Sequence, residues 1–203
     1  SGLSEDFVFG DIRQTDGTPW DCCTRSILKA ALARLENAAG LTLVSAFEHE
    51  FQFKGKAMPM GTAYTMTGFR QRRAFAEKLI AAMRTAGLDP DTIMKEYGAD
   101  QYEVTMGPQR GVTSADHSAI LRELIQAVAA EAGEEVTFTP LRDPAGVGNG
   151  VHIHMSFLDA DGKPATYDPS GRHGLSRPAG QFVAGLLKYL DSYLALVAPS
   201  VIS

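Results

Sequence analysis

Cysteine is nearly absent from this chain of 203 residues; Cys22 and Cys23 are the only two, and they are adjacent. A disulfide between neighbours fits its required geometry poorly across a single peptide bond. A disulfide-stapled secreted fold is therefore excluded, and both thiols are expected to be free in a reducing cytoplasm. Nothing around them has the pattern of an activated nucleophile, and cysteine metal ligands are missing. Long apolar runs are missing too: no stretch approaches a membrane span, and the opening SGLSEDFVFGD is not a signal peptide. Basic residues are outnumbered, 19 Lys and Arg against 24 Asp and Glu, for a net charge of −5, and no basic stripe stands out. That balance argues against nucleic acid as a partner. There is no repeat, low-complexity tract or long linker. What is present, 44% hydrophobic and 21% charged residues, suits one good-sized core. The abrupt start and the uncharged end VAPSVIS are read as the cut ends of a longer protein.

Periodicity supplies the elements. Residues 6–20 read as a strand and turn, with Asp16-Gly17 as the turn. Residues 25–39 form an amphipathic helix with Ile27, Leu28, Ala31, Leu32 and Leu35 inward, ended by Gly40. A long strand covers 41–53, and a second helix covers 69–86 with Phe75, Leu79, Ile80 and Met83 inward. Thr92–Gly98 is a connection carrying Glu96, followed by a strand at 101–106. A third helix at 115–132 buries Ile120, Leu121, Leu124, Ile125 and Val128. Strands at 135–139 and 150–158 follow, then a turn at Asp161-Gly162. A final helix at 178–197 turns Phe182, Val183, Leu186, Leu187, Leu190, Leu194 and Val197 inward. Several strands are one-faced, which gives an α+β class: an antiparallel or mixed sheet backed by helices.

The chemistry sits in three polar stripes on otherwise apolar strands. Side chains alternate across a strand. In AFEHEFQF, Glu48 and Glu50 therefore share a face while Phe47, Phe51 and Phe53 take the other. In GNGVHIHMSF, His152, His154 and Ser156 share a face opposite Val151, Ile153, Met155 and Phe157. Glu96 and Glu103 bracket EYGADQYE. Carboxylates so concentrated need a counter-charge, which divalent cations supply. A carboxylate-rich set with one histidine suits Mg²⁺ or Mn²⁺ better than zinc. An H-x-H pair also suits a cupin-like or zinc hydrolase site, but no suitably spaced glutamate follows His154 and no H-E-x-x-H is present. Gly146, Gly148 and Gly150 let the backbone come close to a ligand.

The segments FEHEFQF, EYGADQYEV, SADHSAILRELI and PAGVGNGVHIHMSF, in this order and after the opening GDIRQTDGTPWDCCTRSILKAAL, resemble the glutamine synthetase family of ATP-dependent carboxylate–amine ligases. The resemblance runs over nearly the whole chain. It implies part of that family's catalytic domain, with a curved, mostly antiparallel sheet, and a two-metal site formed between subunits of a cytoplasmic homo-oligomeric ring. By motif, Glu50, Glu96 and Glu103 correspond to ligands of one metal, and Glu48 and His152 to ligands of a second. His154 and Ser156 correspond to nucleotide contacts, and Gly148 to a substrate contact. The implied reaction phosphorylates a carboxylate with ATP, and ammonia or an amine then displaces phosphate from the acyl phosphate.

Two departures bear on the substrate. The family has Lys-Pro where this chain has Thr139-Pro140, and Asn-Gly where it has Val147-Gly148. The asparagine helps hold the amino acid, so glutamate and other acids both stay open, as do ammonia, polyamines and other amines. Arg110, Arg142 and Arg172 match none of the family's phosphate or substrate arginines and are assigned to surface loops. The family's remaining metal ligand and arginines fall after Ser203, so these 203 residues alone are expected to lack turnover. A non-catalytic relative that binds nucleotide or amino acid for regulation is the alternative; an unrelated metal-dependent hydrolase is a third reading.

Overall fold

The computed structural model describes residues 8–55, 61–200 and 203; the start of the strand expected at 6–20 lies outside them. The described chain is α+β, as expected, with six helices and six strands that belong to one open sheet. It divides into two compact units. Strand β1 (Thr42–Phe53) and strand β6 (Val151–Leu158) each contribute residues to both.

The first unit holds most of β1, strands β2 (Pro90–Lys95), β3 (Gln101–Met106) and β5 (Val136–Thr137), and helices α2 (Met66–Gln71), α3 (Arg73–Thr85) and nearly all of α4 (Val112–Glu131). β3 lies between β2 and β1 and pairs antiparallel with both, while β5 also pairs with β1. The alternation read from AFEHEFQF holds: Phe51 and Phe53 are buried and Phe47 packs against them. Phe75, Leu79 and Met83 of α3 and Leu121, Leu124, Ile125 and Val128 of α4 close over the same face of the sheet residues, joined by Tyr102 and Val104. This apolar core fixes which face the carboxylates must take.

Two expectations in this unit are corrected. The single helix at 69–86 is two helices, because Arg72 leaves helical geometry (φ −123°). Its guanidinium pairs with Asp100 and Glu134 and stacks 3.9 Å from the Phe53 ring centre. The connection at Thr92–Gly98 is mostly strand: β2 runs through Lys95 along the sheet edge, where Pro90 is tolerated because no further strand needs its missing N–H. Gly68 is where α2 meets β2. A Cβ there would lie 2.3 Å from the Thr62 carbonyl oxygen and 2.7 Å from the Lys95 Cβ. Gly68→Ala is therefore expected to destabilise the chain by about 2 kcal/mol, measurable as a lower urea midpoint with unchanged slope.

The second unit contains α1 (Thr24–Ala39), β4 (Gln109–Arg110) paired with Val44 and Ser45 at the start of β1, and helices α5 (Arg177–Lys188) and α6 (Leu190–Val197). Ser176 caps α5 by accepting the Ala179 N–H, with Pro178 pre-set in the first turn. The turn at Asp161-Gly162 is present, closed by the Asp159 carboxylate accepting from the Asp161 and Lys163 amides. The expected helix at 178–197 breaks at Tyr189. Its stripe is not buried: Ala179 is the one buried residue of α5 among the described residues, and Leu187 and Val197 are 68% and 67% exposed. The stripe of α1 likewise buries no residue, and Ile27 is 50% exposed. On the part of β6 in this unit Met155 is exposed and Phe157 is buried; Val151 and Ile153, on the part in the first unit, are exposed as well. The unit's core is small, Leu41, Phe157 and Ala179 with Leu35, Leu43, Ala165, Leu175 and Phe182 against it. Both cysteines are free thiols, Cys23 buried and Cys22 exposed. No helix among the described residues is long and apolar enough to cross a membrane.

Candidate metal centre

Antiparallel register places Glu50 directly opposite Glu103, and Glu48 opposite Thr105. Like charges facing each other across a strand pair are unfavourable, so this register concentrates negative charge on the face that the phenylalanines leave free. β6 adds His152, whose Nδ1 lies 3.2 Å from Glu48 Oε2 and 3.9 Å from Glu103 Oε2. One ligand atom from each of Glu48, Glu103 and His152 falls within 4.8 Å of the others. Opposite ligands of a six-coordinate Mg²⁺ stand about 4.2 Å apart, so atoms this close can face one cation or a closely spaced pair. Glu50 and Glu96 are outside that tight trio but adjoin it.

Each of these two glutamates has one oxygen tied down. Glu50 Oε2 accepts from Gly150 N (3.0 Å) and from Gln101 Nε2 (2.9 Å). Glu96 Oε2 accepts from the Tyr64 hydroxyl (3.0 Å) and the Tyr97 amide (3.2 Å). The second oxygen of each takes no hydrogen bond among the described residues. Half-anchored in this way, each carboxylate is held in a fixed orientation.

The electrostatics point the same way. Glu103 is only 7% exposed. Burial first, and then the carboxylates of Glu48, Glu96 and Glu50, push its carboxyl up to about 7, with His152 pulling weakly the other way. Local desolvation of the hydroxyl, and then its bond to the Glu96 carboxylate, push Tyr64 up to about 12, so it stays a donor. The hydrogen-bond partners of Glu50 and Glu96 named above, Gly150, Gln101, Tyr64 and Tyr97, bring no charge to them. Lys95 is beside Glu96 in sequence, but its Nζ turns into the unit and donates to the carbonyls of Glu96 (2.5 Å) and Gly98 (2.6 Å). The donor set, four carboxylates and an imidazole, therefore fits the divalent cations expected from the sequence.

Of the remaining expected residues, Gly148 lies on the loop before β6. A Cβ there would stand 2.7 Å from the Pro140 carbonyl oxygen, so the position requires glycine. His154 and Ser156 follow on β6 in the second unit, with exposed side chains. Sequence reasoning missed Tyr64, Gln101, Asn149 and Lys95. Gln101 was visible as a polar residue inside EYGADQYEV; nothing in the sequence marks Tyr64, which reaches Glu96 from 32 residues away.

Comparison with known proteins follows the same residues. The pattern of the glutamine synthetase catalytic domain matches residues 21–203. Gamma-glutamylpolyamine synthetase of Streptomyces coelicolor is 35% identical over 193 residues, covering 91% of this chain and 41% of that protein. Glutamate–methylamine ligase of Methyloversatilis universalis is 33% identical over 201 residues, covering 92% of this chain and 45% of that protein. A crystal structure of a novel glutamine synthase homolog superimposes with a TM-score of 0.86 at 40% identity, covering 94% of this chain and 45% of that one. The chain thus spans less than half the length of these relatives.

Proposed function

The chain belongs to the glutamine synthetase catalytic-domain family, and on that premise we propose that it supplies the metal-binding half of a site that ligates ammonia or an amine to glutamate or a related acid at the expense of ATP. The observation that carries this reading is the convergence of Glu48, Glu103 and His152, one ligand atom from each within 4.8 Å of the others. Glu50, Glu96 and Glu103 would hold one divalent cation, and Glu48 and His152 a second. Bound there, the cations would neutralise the phosphates of ATP and the charge that builds during transfer.

The protein's own groups do the rest. The γ-phosphoryl group passes from ATP to a carboxylate oxygen of the acid, and ADP leaves. The amine nitrogen then attacks the acyl carbon, phosphate leaves with its electron pair, and the nitrogen sheds a proton. Glu50 and Glu96, each fixed through one oxygen, hold their ligand atoms in place without reorganisation as charge develops. His154 and Ser156 on the exposed part of β6 would contact the nucleotide, and the Gly148 loop would receive the acid. The relatives named for polyamines and methylamine support an amine as acceptor, and assembly into a homo-oligomeric ring is part of the same reading.

A coupled phosphate-release assay of the complete protein tests it. Turnover is expected to need ATP, Mg²⁺ or Mn²⁺, glutamate and a small amine or ammonia together, and to be lost in Glu50→Ala. ATP consumption that ignores the acid, or survives Glu50→Ala, would overturn the assignment.

A further inference from the structure

We propose that Gln101 is a positioning residue that couples the cation site to the turn at Gly148–Asn149, so that occupancy of the first is transmitted to the geometry of the second. The proposal rests on the reading of Glu50 as a metal residue and of Gly148 as a substrate contact. Gln101 opens β3 and is fully buried. Its Oε1 accepts the Gly98 N–H at 2.9 Å. Its Nε2 faces three acceptors: Gly148 O at 2.7 Å, Glu50 Oε2 at 2.9 Å and Asn149 Oδ1 at 2.9 Å. These partners fix the amide's orientation. Reversed, it would set an oxygen against three oxygens and its NH₂ against an N–H donor.

An amide nitrogen carries two hydrogens, so the three acceptors compete for them. The carboxylate is the strongest claimant while its charge is uncompensated, because hydrogen bonds to ionised groups are roughly twice as strong as neutral ones. A cation on the other oxygen of Glu50 draws charge away from Oε2 and weakens that claim. The hydrogens then settle more firmly on Gly148 O and Asn149 Oδ1. The turn they grip has little room to yield otherwise. The Asn149 amide donates to Pro140 O at 2.6 Å, its side chain donates to Thr139 O at 2.8 Å, and the Gly148 backbone abuts Pro140. At its other end, the same amide holds Gly98, three residues from Lys95 and two from Glu96. One buried side chain thus joins a ligand on β1, the loop bearing a ligand after β2, and the turn that would seat the acid. Coupling of this kind is reciprocal: a ligand that favours the gripped turn must tighten cation binding.

The test uses the 203-residue chain, ¹H–¹⁵N spectra with and without Mg²⁺, and calorimetric titration with Mn²⁺. In the wild type, Mg²⁺ is expected to shift the Gln101 side-chain amide and the backbone amides of Gly148 and Asn149. In Gln101→Leu, Mn²⁺ should bind about tenfold more weakly, in line with losses on removing groups that orient metal ligands. The Gly148 and Asn149 resonances should no longer answer to Mg²⁺. Asn149→Ala, on the half-exposed turn, guards against a folding defect: it removes one competitor and should shrink the Mg²⁺-induced shift of the Gln101 side chain. Equal responses of Gly148 and Asn149 in wild type and Gln101→Leu would overturn the coupling and leave the metal reading standing. A wild type that binds no Mn²⁺ would remove the metal reading and the coupling with it.

Discussion

Glu103→Gln is expected to stabilise the metal-free chain at pH 8 while weakening Mn²⁺ binding by more than about a hundredfold, since losing a direct ligand should exceed the cost of losing a group that only orients one. Both effects have one cause. The carboxyl of Glu103 is moved from 4.5 to about 7 by burial and by the charges of Glu48, Glu96 and Glu50. In the folded chain it therefore keeps its proton over a range where the unfolded chain has lost it. Stability from this group is full below pH 4.5, declines as pH rises towards 7, and stays at its lowest above that. The shift corresponds to roughly 3 kcal/mol as an upper bound. Glutamine keeps the shape and removes the charge, so the variant should gain part of that energy above pH 7 and nothing at pH 4. Metal binding runs the opposite way in pH. The cation must displace the proton, so wild-type affinity should climb up to about pH 7 and then level, whereas the variant should show little of that climb. Urea unfolding in EDTA and calorimetry with Mn²⁺, each at several pH values, read the two effects separately. Unchanged Mn²⁺ affinity, or a variant less stable than wild type at pH 8, would contradict the assignment of Glu103 to a cation.

The pattern in which a site costs stability explains why its outline was legible in the sequence. Glu48 and Glu50 stand out because they interrupt a strand whose other face, Phe47, Phe51 and Phe53, is committed to the core. Strand alternation then fixes their direction with no knowledge of the partner strands. His152 is found by the same rule on β6. What alternation cannot supply is register. That Glu103 faces Glu50, and that His152 approaches Glu48, depends on which strands pair and where. Tyr64 and Gln101 were missed for a related reason: their roles are set by hydrogen bonds to groups far along the chain, Glu96 32 positions from Tyr64 and Glu50 51 positions from Gln101, which leave no local periodicity. Helix stripes were read correctly for α4 and α3, where a sheet stands against them, and misread as buried for α1, α5 and α6. An amphipathic stripe states that a face prefers cover; it does not state that these residues provide it. The break at Arg72 was invisible because arginine is a good helix former, and the residues that pull it out of the helix, Asp100 and Glu134, belong to distant segments.

That break carries the second large effect. Asp100 is 1% exposed, sits at positive φ (50°), and takes both nitrogens of the Arg72 fork. Arg72 also holds Glu134 and lies over Phe53. Burial works against its charge, but Asp100 and Glu134 more than compensate and hold its ionisation above the ordinary range. Arg72→Leu would leave the Asp100 carboxylate buried without a partner, which costs about 3–5 kcal/mol when one half of such a pair is removed. The loss should be seen as a large drop in urea midpoint. Arg72→Leu combined with Asp100→Asn should recover much of it, because the orphaned charge rather than the lost attraction dominates. The same change reaches the proposed metal centre through the backbone, since Asp100 follows closely on the loop from Glu96 to Gly98 whose carbonyls Lys95 binds. Mn²⁺ affinity should therefore fall in Arg72→Leu even under conditions where the chain remains folded, and return only in part in the double variant, which restores the energy balance but not the fork that orients the loop. A double variant no more stable than Arg72→Leu would mean that stacking on Phe53, not the buried charge, sets the energy of this position.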